Sequence, residues 1–175
     1  MPLEPKPLKM INPAAAKKPA APAGAEAALS RLGITLPVAA APVAAYVPTV
    51  EVNGLLHVSG QLPFENGAVM VGRLGEDRNI DYGQTAARAC GLMILAQIKA
   101  ALGSLDRVER VVKLNVFINS DPRFTDQPKV ANGASELMVE LFGEAGKHAR
   151  AAVGVPTLPL GAVVEVDAIV AIRPA

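Results

Sequence analysis

Ala149-Arg150-Ala151-Ala152-Val153-Gly154-Val155, followed after a proline-bearing turn by Val163-Val164-Glu165-Val166-Asp167-Ala168-Ile169-Val170-Ala171-Ile172, is the stretch on which the fold turns. The valine-rich runs alternate with a period of two, which puts successive side chains on opposite faces of a sheet. In the second run Val164, Val166, Ala168, Val170 and Ile172 make one apolar face, and Glu165 and Asp167 fall on the other. The same reading assigns Val153 and Val155 to the apolar face and sets Arg150 and Ala152 beside Glu165.

Upstream, Val111 to Ile118 is a further strand, with Val112, Leu114, Val116 and Ile118 on one side and Lys113, Asn115 and Phe117 on the other. Two stretches carry the helical repeat instead. From Ile80 to Leu102, Ala87, Cys90, Ile94, Ile98 and Ala101 recur at helical spacing, with Asn79 or Asp81 as the cap and Gly103 as the stop. From Pro128 to Phe142 the stripe is Val130, Leu137, Met138 and Leu141, ended by Gly143 and Gly146. Thr49 to Val52 and Leu55 to Val58 flank Asn53-Gly54, the pair that a type I′ hairpin turn favours. After a second turn at Glu65-Asn66-Gly67, Ala68 to Val71 supplies a third short strand.

The order β-β-β-α-β-α-β-β predicts an α/β (α+β) fold, a mixed sheet with two helices packed on one face. The other face carries Phe117, Val163, Ile169 and Ala171 among its charges, too much apolar surface to leave wet, so self-association is expected to cover it. Residues 43–175 form the predicted domain. Residues 1–42 are a Pro/Ala-rich extension, predicted flexible, with one short helix from Ala25 to Leu32 closed by Gly33.

The bulk numbers narrow the function. The 175 residues suit one domain, and Lys+Arg 17 against Asp+Glu 16 gives no field to hold nucleic acid or anionic lipid. Aromatic residues make up only 3%, which also disfavours base stacking. No uninterrupted apolar run reaches the roughly 20 residues of a membrane span. The N-terminus is basic without the apolar block of a secretory signal, and the single cysteine fits a reducing compartment, so the expected location is the cytoplasm.

Most enzyme templates are missing: there is no His-Glu-x-x-His metal motif, no Walker-type loop and no Gly-x-Ser-x-Gly elbow, so no metal site is expected. Cys90 lies on the apolar stripe of the long helix and reads as a buried structural thiol. His57 sits in the hairpin, and His148 stands two residues before Arg150. Arg150 is the pointed feature: a planar fork of donors suits bidentate capture of a carboxylate, and Glu165, expected on the same face, suits proton handling. The same two residues would equally make an ordinary cross-strand ion pair.

Tyr46, then Val58-Ser59-Gly60-Gln61-Leu62-Pro63, then Val116-Phe117-Ile118, then Ala149-Arg150-Ala151-Ala152-Val153 with Leu158-Pro159 and Val164-Glu165-Val166-Asp167-Ala168-Ile169 together resemble the RidA/YjgF, or reactive intermediate deaminase, pattern in the right order over residues 43–173. The resemblance implies a chorismate-mutase-like fold, a homotrimer with clefts between subunits, and hydrolysis of small 2-imino or enamine acids to 2-keto acids and ammonia without a cofactor. It implies that Arg150 holds the substrate carboxylate, that Tyr46 walls the cleft from a neighbouring subunit, and that Ser59 and Gly60 contribute hydroxyl and backbone contacts. Glu165 would position a water, and the Ala152 carbonyl would meet the imine nitrogen or that water. Asn132 takes the place of the family's cleft asparagine, with Ser135 the competing candidate, and Phe117 is counted among the binding residues. The alternatives are a trimeric protein that binds small carboxylates without turnover and an endoribonuclease, the latter disfavoured by the balanced charge.

Overall fold

A computed structural model describes residues 24–41 and 45–174 of the chain. Of the extension expected over residues 1–42, residues 1–23 and 42 lie outside the described residues, as does the domain start placed at Val43.

A five-stranded sheet carries the molecule. In chain order the elements are α1 (Ala25–Leu32), β1 (Thr49–Val52), β2 (Leu55–Gln61), β3 (Phe64–Glu65), β4 (Ala68–Val69), α2 (Ile80–Leu102), β5 (Val108–Asn119), α3 (Gln127–Phe142), β6 (Ala149–Val155) and β7 (Val164–Ile172). The strand order is β1-β2-β7-β5-β6, antiparallel throughout except for the parallel β5–β6 pair at one edge. That pair is joined through α3, as a parallel connection requires. The expected third strand does not enter this sheet: β4 pairs only with β3 in a separate small hairpin.

Local chemistry explains the elements. Asn53 and Gly54 both have positive φ, 50° and 73°, the type I′ geometry that joins β1 to β2 without splaying them. Asn79 caps α2, its Oδ1 accepting from Tyr82 N at 2.9 Å, and Gly103 closes the helix in the left-handed conformation. The two long helices are tied together by Arg88, whose Nη2 donates to Glu140 Oε2 at 2.8 Å, and by Gln84, whose Nε2 donates to the Lys129 carbonyl at 2.9 Å.

The core lies between these helices and one sheet face, with Leu114, Val116, Ile118, Val166 and Val170 from the sheet meeting Cys90, Ile94 and Leu137 from the helices. Cys90 is fully buried, its Sγ 3.6 Å from the Val164 carbonyl. Burial pushes its thiol well above the ordinary range, and the Glu165 charge adds to the rise. Among the described residues α2 is the one helix long and apolar enough to cross a membrane, and most of that apolar window is buried inside the fold.

Three sequence expectations change. Val111 and not Val112 is the core residue at the start of β5, because the register with β7 shifts between Val111 and Lys113. Val163 is fully buried, its N–H donating to the Met70 carbonyl at 3.0 Å, so it does not belong to the open face. Finally, packing begins before residue 43: Ala25, Ala28 and Leu29 of α1 are buried in the common core. Glu26 fastens that helix, its carboxylate accepting from Lys99 Nζ at 2.7 Å and from Leu105 N at 3.0 Å.

Candidate functional site

The register of β6 decides where the key side chains go. Arg150 stands beside Leu114, Ala152 beside Val116 and Gly154 beside Ile118, all of them core-facing β5 residues. In a parallel pair neighbours in register share a face. Arg150 and Ala152 therefore lie on the helix side of the sheet, whereas Val153, 45% exposed, stands beside Phe117 on the open side. Phe117 in turn pairs with Glu165. The expectation that Arg150 and Glu165 share a face is corrected: they lie on opposite faces, two strands across and three residues along, roughly 14 Å apart between Cα atoms by standard strand spacings.

One group of candidate residues forms at the β6 edge against α3. Arg150 Nη1 donates to Asn132 Oδ1 and to Ser135 Oγ, each at 3.0 Å, and Nη2 donates to the Pro128 carbonyl at 3.2 Å. Pro128, Asn132 and Ser135 are spaced four and three residues apart, one stripe of α3 facing the strand. Asn132 and Ser135 thus both meet the arginine. All three acceptors are neutral, and no carboxylate pairs with Arg150 among the described residues. Three of about five guanidinium donors are engaged, which leaves Nε–H and one Nη2–H for a ligand. The cross-strand ion pair is ruled out by this arrangement. Ala152, on the same edge strand, has one side of its backbone without a strand neighbour.

The second group lines a concavity of about 960 Å³ on the open face, where Tyr46, Ser59, Gly60, Asn115, Glu165 and Asp167 meet. Ser59 Oγ donates to the Val47 carbonyl at 2.8 Å and its N–H to the Pro48 carbonyl at 2.9 Å, so Ser59 fixes the segment that carries Tyr46. Gly60 leaves room for Glu165: a Cβ there would sit on Glu165 Oε1, with Glu165 Cδ at 3.0 Å, so any side chain would force the carboxylate to shift. Half-burial, and then the nearby Asp167 carboxylate, raise the pKa of Glu165 above the ordinary carboxyl value. Asp167 itself accepts from Asn115 Nδ2 at 2.8 Å. Phe117 lies next to Glu165 on this face, half-buried.

The candidates therefore come together as two half-sites: Arg150, Asn132 and Ala152 at one edge, and Tyr46, Ser59, Gly60, Phe117 and Glu165 on the opposite face. Within one protomer they cannot address the same small molecule. Sequence reasoning left His148 beside the site without a task. Its Nε2 lies 3.0 Å from Ser135 Oγ and its Nδ1 2.6 Å from the Gly146 carbonyl. The signal for it was the strand period, which puts residues 148, 150 and 152 on one face. Among the described residues no three His, Cys, Asp or Glu side chains converge as metal ligands would.

Comparison with known proteins supplies a context for this geometry. A family model described as "YjgF/chorismate mutase-like, putative endoribonuclease" matches residues 26–171. The Trypanosoma cruzi protein TCP17 is 60% identical over 144 residues, which covers 81% of this chain and 90% of that protein. The crystal structure of Atu1372 from Agrobacterium tumefaciens superposes with a TM-score of 0.79 at 50% identity, covering 85% of this chain and 93% of the other. Escherichia coli TdcF, solved with bound serine, superposes with a TM-score of 0.56 at 25% identity over 79% of this chain and 98% of its own.

Proposed function

The chain belongs to the YjgF/RidA, chorismate-mutase-like family, and from that premise we propose that it hydrolyses small 2-imino acids to 2-keto acids and ammonia at clefts between the subunits of a homotrimer. The observation that carries the reading is Arg150: a guanidinium held by three neutral acceptors, with donors to spare and no carboxylate of its own among the described residues. A cation fixed in this way is preorganised for an external carboxylate. The serine bound to TdcF carries such a group.

The two half-sites give the reason for a second copy. A neighbouring subunit's open face, brought against the β6 edge, would set its Glu165, Ser59 and Tyr46 opposite Arg150. That face exposes Val50, Val52 and Val153, each between 45 and 51% accessible, and would be covered in the same step. In such a cleft Arg150 and Asn132 hold the substrate carboxylate, Tyr46 and Phe117 wall the substrate, and Ser59 and Gly60 border it. Glu165 directs a water at the imine carbon, and the Ala152 carbonyl is within the edge available to the imine nitrogen or that water. An imine is already electrophilic, so fixing its carboxylate and aiming water accelerates hydrolysis without a nucleophilic side chain. The raised pKa of Glu165 suits a group that exchanges a proton with that water.

Generating 2-aminoacrylate in situ with a separate enzyme and following pyruvate release tests the proposal. The wild type is expected to accelerate release and Arg150→Ala to lose at least about a hundredfold of that acceleration, the ~3 kcal/mol of a charge-assisted pair. Equal rates with and without the protein, with pyruvate still bound, would favour a binding module instead. RNA cleavage that persists after removal of trace nuclease would favour the endoribonuclease reading.

A further inference from the structure

Beside the carboxylate-gripping arginine the chain builds a directional hydrogen-bond relay. The Gly146 carbonyl can only accept, so His148 Nδ1, 2.6 Å away, carries the hydrogen. In the neutral ring Nε2 is then bare and accepts the Ser135 hydroxyl at 3.0 Å. Ser135 Oγ in turn accepts from Arg150 Nη1, also at 3.0 Å, because a guanidinium can only donate. Every donor in the series Arg150, Ser135, His148 points the same way.

We infer that His148 is a proton-holding, positioning residue of this site, and that a carboxylate docking on Arg150 loads a proton from solvent onto His148 Nε2. This role rests on the proposed function only in taking Arg150 as the carboxylate's anchor. With Nε2 protonated, the ring donates to Ser135 Oγ, and the serine's own hydrogen must leave the ring. Through Ser135 the ring faces the Arg150 charge, and a docked anion offsets that charge, which is the differential interaction that coupling requires. The proton returns to solvent when the carboxylate leaves.

The surroundings fix the sign. Burial holds the His148 pKa below the ordinary imidazole value, and the Arg150 charge lowers it further against the pull of the Gly146 carbonyl. Among the described residues, the α3 groups bonded into this chain are the neutral Ser135 and Asn132, and β6 contributes Arg150. In the short turn before β6, Glu144 and Lys147 pair with each other at 2.6 Å, and Arg110 from β5 is engaged with the Glu144 carbonyl at 2.9 Å. Lys113 of β5 stands beside Ala149, on the opposite face from Arg150. An anion on Arg150 offsets the charge that opposes protonation, so the His148 pKa must rise on binding. By reciprocity the anion must bind more tightly to the protonated protein.

The chain has two histidines, so an NMR titration of the full-length protein with and without saturating pyruvate reads the effect directly, with His148→Gln assigning the signal. The expected result is a rise of about one unit in the His148 pKa, equivalent to about tenfold tighter pyruvate binding below the titration than above it. In His148→Gln, which keeps an acceptor for Ser135, pyruvate affinity should become flat over the same pH range. Pyruvate binding that depends on Arg150 but leaves the His148 pKa unmoved would overturn the inference alone. Binding that survives Arg150→Ala, or no binding at all, would overturn the clasp reading and this inference together.

Discussion

Gly60 and Glu165 show how closely single residues define the open-face half-site. A methyl group at position 60 has no room while the Glu165 carboxylate lies over it. Gly60→Ala is therefore expected to displace Glu165 and cut kcat about tenfold or more while carboxylate affinity changes little, since Arg150 lies elsewhere. Steady-state kinetics beside pyruvate titration checks the split, and a rise in KM alone would count against it. Glu165 also has a stability signature. Its folded pKa is raised, so the native state holds that proton more tightly than the unfolded chain, and stability falls as pH rises from the unfolded value through the folded one. Above the folded value the cost is fully present, and there Glu165→Gln is expected to raise the thermal midpoint while lowering activity. A midpoint that drops would show that the carboxylate stabilises the fold.

At the scale of elements, turn chemistry and helical period made most of the architecture legible. Asn53-Gly54 marks its hairpin because two positive φ values are needed in succession, and the α2 boundaries follow from Asn79 and Gly103. The facing of β6 was not legible. A period of two shows that residues alternate but not which set faces inward, and hydrophobicity chose Val153 and Val155 over Arg150 and Ala152. At this edge the choice inverts: α3 supplies polar partners for Arg150 from Asn132 and Ser135, leaving Val153 on the open side. The bulge in β5 was hidden for a related reason, because one extra residue flips the alternation without a composition signal. The candidate residues were nearly all named from the sequence, but their division between two faces depends on strand pairing, a long-range property. The α1 helix is a third case: its short apolar stripe reads as part of an extension, yet Leu29 is 6% exposed in the core. Leu29→Ala is expected to cost about 2–4 kcal/mol in denaturant unfolding. An unchanged midpoint would mean that α1 contributes no packing.

For the whole molecule, the half-sites and the apolar open face make one demand. The open sheet face exposes Val50, Val52 and Val153 and carries a concavity of about 960 Å³, and on the proposed reading Arg150 would take an anion and a water-directing acid from outside its own protomer. The proposed second copy would answer both. This also explains why the sequence carries no contiguous catalytic motif: the parts that would act together lie on opposite faces of each chain. The most direct measurement is a crystal structure of the protein with bound pyruvate. The carboxylate is expected on Arg150 Nε and Nη2, within a cleft whose far wall carries the partner's Glu165 and the partner's Tyr46. Pyruvate found in the open-face concavity of a lone protomer, away from Arg150, would contradict this arrangement.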